Sequence, residues 1–166
     1  MRTLKRRRNE NKTDYKRRIN LLKSQAPRVV FRKSNRYVIA QYTISNEAQD
    51  KVVIGVTSKV LMEHGWPQDM AGSLKSLPAS YLTGFFLGKE IAKQKLETPI
   101  IDIGMIRNVN KSKVFAFIKG IVDSGIKIKC NEEAFPEEER IKGKNLKKDF
   151  SANFNKIKSN MDGSKK

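Results

Sequence analysis

Residues 28–57 read RVVFRKSNRYVIAQYTISNEAQDKVVIGVT, and much of this stretch consists of β-branched and aromatic residues. Because such residues suit the pleated surface of a sheet, we expect three strands here, at 28–33, 36–43 and 51–57. Ser34 and Asn35 can form a tight turn between the first two strands, since Asn tolerates positive φ. The stretch therefore predicts an antiparallel meander with one face to be covered.

Three amphipathic segments predict helices. The first runs from Thr13, its expected N-cap, to Pro27. The second begins at Pro78, and the third runs from Ser112 to Gly125. In each segment apolar residues recur at the three- and four-residue spacing that places them on one helix face.

A second strand region follows the helix that begins at Pro78. Residues 100–104, IIDIG, are almost continuously apolar, as in a strand buried on both faces. Residues 126–130, IKIKC, alternate as an edge strand does. Strand, helix and strand in this order predict a βαβ crossover, so we expect an α/β fold with a mixed sheet and packed helices.

The basic residues are concentrated at the two ends of the chain. Residues 1–36 hold 14 basic and 2 acidic side chains, a net charge of +12. Residues 37–139 are nearly balanced at −1, and residues 140–166 carry +7. A neutral centre between two cationic ends is typical of a nucleic-acid-binding protein, and we weigh this above binding to a membrane surface or an acidic protein.

The chain length of 166 residues fits one domain with extensions. We expect a basic N-terminal arm and helix at 1–27, an α/β core at 28–131 and a charged C-terminal extension at 132–166. Residues 1–12 are too poor in apolar side chains to order on their own. Pro136 can begin a short helix, after which we expect a flexible tail.

Other compartments and scaffolds receive little support from the sequence. The single cysteine, Cys130, excludes a disulfide framework and a multi-cysteine zinc site. No window approaches the roughly 18 apolar residues of a membrane span. The Arg-rich start lacks the apolar region of a signal peptide; a mitochondrial presequence fits its composition, but Glu10 and Asp14 lie within it.

Enzymatic motifs are missing from the sequence. It contains no Gly-rich nucleotide loop, zinc-protease helix or nucleophile elbow, so we expect no catalytic residue, metal or cofactor. One enzymatic alternative stays open, a metal-dependent nuclease built on Asp102 with Glu90 or Asp123. A DNA-coating protein without sequence preference is the other alternative.

Three basic patches can bind phosphates: the N-terminal arm, the turn after residue 33, and the loop that contains Arg107. Tyr15 lies beside the first patch and could stack on an unpaired base, although it also fits an apolar helix stripe. The chain shows no recognition helix of known pattern. Structured RNA is therefore the favoured partner over a DNA sequence.

Five segments also resemble a known family in order and spacing. They are RRRNENKTDYKRRINLLKSQAPRVVFRKSNRYVIAQ, LPASYLTGFFLG, DIGMIRN, KVFAFIKGIVDSG and NEEAFPEEERIKG. Together they resemble the archaeal form of large-subunit ribosomal protein eighteen, whose eukaryotic relatives are called protein five. The resemblance covers residues 6–146.

The resemblance implies a non-enzymatic protein of the cytoplasmic ribosome with a ribonuclease H-like topology. Such a protein binds 5S rRNA, anchors it in the central protuberance, and touches large-subunit rRNA and neighbouring ribosomal proteins. Carried over by position, with the patches above, the expected RNA contacts are Arg6, Arg7, Arg8, Lys12, Tyr15, Arg17, Arg18, Arg28, Arg32, Lys33, Ser34, Asn35, Arg36, Arg107, Lys111 and Lys113.

Overall fold

A mixed β-sheet lies at the centre of the computed structural model, which describes residues 5–47, 49–146 and 149–163. Its strands are β1 (Arg28–Lys33), β2 (Val38–Asn46), β3 (Gln49–Thr57) and β4 (Ile100–Asp102). β2 pairs antiparallel with both β1 and β3, whereas β4 runs parallel to β1. Their order across the sheet is β3-β2-β1-β4. The predicted meander and mixed sheet are confirmed.

Helices flank this sheet. Short 3-10 helices occupy Ser58–Met62, Gln68–Ser73 and Glu132–Ala134. The α-helices of the described residues are α1 (Arg6–Asn9), α2 (Tyr15–Lys23), α3 (Leu77–Lys93), α4 (Lys113–Asp123), α5 (Glu138–Lys142) and α6 (Ser151–Gly163). Across the described ranges, every helix is too short or too polar to cross a membrane.

The inner face of the sheet is covered by α3 and α4. Phe31 of β1 and Phe117 of α4 are fully buried, and their ring centroids lie 4.8 Å apart. The two helices approach closely because glycines lie at their contact. A Cβ at Gly84 would overlap the carbonyl oxygen of Phe117, and one at Gly120 would overlap that of Tyr81. Glycine at these two positions therefore sets the helix separation.

The predicted strand at 126–130 is wrong. These residues lie outside helices and strands, although Ile126 and Ile128 pack against the core and Lys127 and Lys129 are exposed. The alternation of apolar and polar residues is real, but it arises from an irregular segment that packs on the core and pairs with no strand of the described residues. The parallel partner of β4 is β1, so the predicted βαβ crossover is replaced by a longer connection through β2, β3 and α3.

The C-terminal region is ordered over the core, which corrects the predicted flexible tail. Phe154, Ile157 and Met161 of α6 are buried, and Phe150 packs on Trp66 with ring centroids 4.6 Å apart. The four apolar residues Phe150, Phe154, Ile157 and Met161 recur at helical spacing. The Lys, Asn and Ser residues between them lower the mean hydropathy of the segment and obscure this pattern. Residues 147–148 and 164–166 of the predicted tail lie outside the described residues.

The described part of the N-terminal arm is also ordered. Residues 6–9 form α1, and the Nε of Arg7 donates to Thr13 Oγ1 at 3.2 Å. Asp14, rather than Thr13, caps α2, because its side chain accepts from the backbone N–H of Arg17 at 3.4 Å. The prediction that residues 1–12 are disordered is therefore wrong over residues 5–12, and residues 1–4 lie outside the described residues. The boundaries of arm, core and extension stay predictions.

Candidate nucleic-acid interface

A cleft of about 460 Å³ opens where α2, the end of β1 and the segment after β4 meet. We call it the basic cleft, because its charged lining combines Asp14 and Asp102 with six basic residues, Lys12, Arg17, Arg18, Arg32, Lys33 and Arg107. Arg107 is separated from Lys33 in sequence by β2, β3, α3 and β4. Folding thus joins residues of all three predicted patches on one surface.

Two aspartates hold arginines of the basic cleft in place. Asp50 accepts from Arg18 Nη2 at 3.0 Å and from Arg28 Nη2 at 2.7 Å. Asp102 Oδ2 accepts from Arg28 Nη1 at 3.4 Å and from Arg32 Nη2 at 3.3 Å. Arg28 therefore links the two aspartates, and each aspartate positions one arginine of the cleft.

Arg28 does not belong to the exposed interface. Its side chain is only 1% exposed, so its predicted role as an RNA contact is corrected to that of a positioning residue. A buried guanidinium is tolerated because paired carboxylates offset its desolvation. Burial alone would raise the pKa of Asp50, but hydrogen bonds from Ser45, Arg18 and Arg28 outweigh it and hold that pKa below its usual value.

The carboxylates of the nuclease alternative are already engaged. Asp102 is 6% exposed, and its Oδ1 accepts from the backbone N–H of Gly104 at 2.7 Å. Asp123 accepts from the hydroxyl of Tyr81 at 2.6 Å. Within the described ranges, no three His, Cys, Asp or Glu side chains are grouped so that they could hold a metal ion. Asp102 and Asp123 therefore take part in the contacts of the fold, and Glu90, the third carboxylate of that alternative, lies 3.9 Å from the Nζ of Lys93.

Gly104 fixes the loop after β4 against the cleft. Its φ is +58°, and a Cβ there would lie 2.7 Å from the guanidinium carbon of Arg32. Its carbonyl accepts from Arg17 Nη1 at 3.2 Å, which ties α2 to this loop. Sequence reasoning missed Gly104 and Asp50 as positioning residues. The glycine that ends the IIDIG segment was a signal for the first. The sequence around Asp50 resembles an ordinary polar turn, although the structure places Asp50 in β3.

The turn after β1 presents a cationic tip that hydrogen bonds of Ser34 hold together. Ser34 Oγ accepts from the backbone N–H groups of Arg36 at 3.3 Å and Tyr37 at 2.9 Å. Asn35 and Arg36 are exposed, as is Lys33. Because Ser34 organises the turn, we expect it to position the neighbouring cations more than to contact a ligand itself.

The other predicted residues do not line the cleft. Tyr15 is 38% exposed, with Lys5 Nζ 5.9 Å from its ring centroid, so it does not lie in the core. Arg8 pairs with Asp14 at 2.8 Å. The predicted residues outside the cleft lining are Arg6, Arg7, Arg8, Tyr15, Arg28, Ser34, Asn35, Arg36, Lys111 and Lys113.

Comparison with known proteins identifies the family. The family model described as "Ribosomal large subunit proteins 60S L5, and 50S L18" matches residues 1–99, which is more than half of the chain. The large ribosomal subunit protein uL18 of Korarchaeum cryptofilum (strain OPF8) is 40% identical over 141 residues, covering 85% of this chain and 70% of that relative. The resemblance found in the five segments is confirmed, and the chain belongs to the family of large-subunit ribosomal proteins 60S L5 and 50S L18.

Proposed function

We propose that this protein binds 5S rRNA in the large ribosomal subunit and helps to anchor it in the central protuberance. The observation that carries the proposal is the basic cleft, which joins cations from three separate parts of the chain. Large-subunit rRNA and neighbouring ribosomal proteins are the further proposed partners, in the cytoplasmic ribosome. The role is structural, because the family consists of ribosomal proteins and the tested carboxylates are engaged in the fold.

The charge balance of the cleft supports a polyanionic ligand. Of its two acidic side chains, Asp14 pairs with Arg8, and Asp102 pairs with Arg28 and Arg32. Lys33 and Arg107 form no ion pair within the described residues. Three of the six cations of the cleft also form ion pairs, Lys12 with Glu10, Arg18 with Asp50 and Arg32 with Asp102. The basic residues still outnumber the carboxylates around the cleft, and this excess favours phosphate groups, whose binding releases condensed counterions.

The strand order supports the ribonuclease H-like topology that we also propose. Three antiparallel strands precede a fourth that lies parallel to the first, in the order β3-β2-β1-β4. The fold leaves the outer end of the β1–β2 hairpin beside α2, where the basic cleft forms. The sheet thus serves as a rigid support for an RNA-binding surface.

Competition binding tests the proposal. Labelled 5S rRNA transcript is titrated with the full chain, and unlabelled 5S rRNA or random duplex DNA is added as competitor. We expect 5S rRNA to compete far more strongly, and we expect affinity to fall about a thousandfold between roughly 50 and 200 mM salt if about six phosphates are neutralised. Equal competition by duplex DNA would favour a DNA-coating protein and refute the proposal.

A matched pair of variants links the binding to the cleft. Lys33→Gln removes an exposed cation from the lining, whereas Lys93→Gln removes an exposed cation at the end of α3. We expect Lys33→Gln to weaken 5S rRNA binding several-fold and Lys93→Gln to leave it unchanged. Equal effects of both variants would show that binding follows total charge rather than the cleft.

A further inference from the structure

A second cavity of about 400 Å³ lies beside the basic cleft, at the start of α4. We call it the α4 cavity. Lys33, Ile106 and Arg107 line both cavities, so the two are continuous along one surface. The rest of its lining is part apolar and part polar. The apolar part consists of Phe31, Leu77, Val109 and Val114, and the polar part of Lys111, Ser112, Lys113 and Arg140.

Several cations at the α4 cavity lack acidic partners. Within the described part of the chain, no ion pair is formed by four of them: Lys33, Arg107, Lys113 and Arg140. The first turn of α5 nevertheless carries several carboxylates. Those carboxylates are taken by lysines: Glu137 pairs with Lys111 at 3.0 Å, Glu138 with Lys142 at 3.2 Å and Glu139 with Lys144 at 2.9 Å. Arg140 is therefore left exposed at the cavity without a carboxylate in contact.

Cations at the cavity repel one another, and Glu137, which pairs with Lys111 and lies near Arg140, offsets only part of this repulsion. Burial is the main reason that the pKa of Lys113 lies below its usual value, and the charges of Lys33 and Lys75 lower it further. Lys75 is exposed and stands two residues before Leu77, which lines the cavity. An anion in the cavity would relieve this repulsion.

The start of α4 differs from the starts of α2 and α3. Asp14 caps α2 and Ser76 caps α3 by accepting a backbone N–H. Ser112 occupies the same position before α4, yet its side chain forms no capping bond, and its buried hydroxyl has no hydrogen-bond partner. The cations of the cavity thus surround a helix end that lacks a side-chain cap and carries partial positive charge.

We propose that the α4 cavity binds a backbone phosphate of the same RNA that occupies the basic cleft, with Lys113 and Arg140 as direct contacts and Lys75 at the rim. This inference rests on the proposed function, and it extends the RNA path past Lys33 and Arg107 toward α5. It adds Lys75 and Arg140, which lie outside the patches predicted from the sequence.

Salt-dependent binding of charge-neutralising variants tests this path. The dissociation constant for the 5S rRNA transcript is measured from roughly 50 to 200 mM salt for the wild type, Arg140→Gln, Lys75→Gln/Arg140→Gln and Lys93→Gln. We expect Arg140→Gln to weaken binding about tenfold and to reduce the salt slope by about one, and the double variant to reduce it by about two. Lys93 is a matched control because α3 places it about 24 Å from Leu77 along the helix axis.

A second measurement uses the wild-type protein. Lysine acylation is mapped with and without bound 5S rRNA, and we expect protection of Lys75 and Lys113 but not of Lys93. The α4 cavity would be excluded as a phosphate site if the variants keep the affinity and salt slope of the wild type and no lysine is protected. If the wild type still prefers 5S rRNA over duplex DNA, that result leaves the proposed function intact. Failure of the wild type to prefer 5S rRNA over duplex DNA would instead refute the proposed function and, with it, this inference.

Discussion

Gly120→Ala should destabilise the protein, although helix propensity predicts the opposite. Alanine is favoured over glycine inside a helix by about 1 kcal/mol. In this fold, however, the added Cβ would overlap the carbonyl oxygen of Tyr81 and lie 2.9 Å from the backbone nitrogen of Phe85. Both neighbours are backbone atoms of α3, so relief requires α3 and α4 to separate.

The expected magnitude follows from these opposing effects. Overpacking costs about 1–3 kcal/mol, and contact with backbone places this site at the upper end. After the propensity gain is subtracted, the free energy of unfolding should fall by about 2 kcal/mol. For a chain of this size, that corresponds to a loss of about 4–8 °C in melting temperature.

Urea and thermal denaturation followed by circular dichroism measure this change. Gly163→Ala is the matched control, because a Cβ at Gly163 at the end of α6 meets no atom within 4 Å. It should change the free energy of unfolding by less than about 0.5 kcal/mol. If Gly120→Ala is as stable as the wild type, the close approach of α3 and α4 does not determine the helix separation, and the reasoning is refuted.

Three further predictions separate packing, charge and binding. Phe154→Ala should lower the free energy of unfolding by about 3–5 kcal/mol, because the buried ring anchors α6; a change below about 1 kcal/mol in chemical denaturation would contradict this packing. Arg28→Ala should lower the free energy of unfolding by about 3–5 kcal/mol, because Asp50 and Asp102 lose their shared partner. Arg36→Gln should weaken RNA binding with little change in melting temperature. Similar thermal shifts for the two variants would refute this division between a structural and a binding arginine. Because the pKa of Asp50 in the folded protein lies below its usual 3.8, its contribution to stability is present above that pH and is lost as pH falls through the folded pKa. The free energy of unfolding of Asp50→Asn, measured as a function of acid pH, should lack this component, and a curve identical to that of the wild type would count against it.

The basic cleft depends on ion pairs that centre on the buried Arg28. Arg18 and Arg32 are surface cations, but each is oriented by an aspartate that also binds Arg28. Orienting a long side chain before the ligand arrives reduces the conformational entropy that binding must overcome. Substitution of Arg28 should therefore weaken RNA binding indirectly, through the positions of Arg18 and Arg32.

Local sequence patterns were sufficient for much of the fold. The β-branched segments located β1, β2 and β3, and helical spacing located α2, α3 and α4, because these signals depend on residues close together in the chain. The same patterns failed at 126–130, where the alternation belongs to a segment that forms no strand. They also failed at α6, whose few apolar residues need the surface around Trp66 to form a stable helix.

The sequence by itself determined the strands, the main helices, the basic patches and the family resemblance. Only the tertiary structure decided which basic residues share one surface and which are buried. Arg28 and Arg36 are the same residue type, eight positions apart, yet one is paired inside the protein and the other is exposed at the hairpin tip. The reason is that an arginine's environment depends on carboxylates brought near it by long-range packing, and Asp50 and Asp102 reach Arg28 only when β2, β3 and β4 assemble around β1.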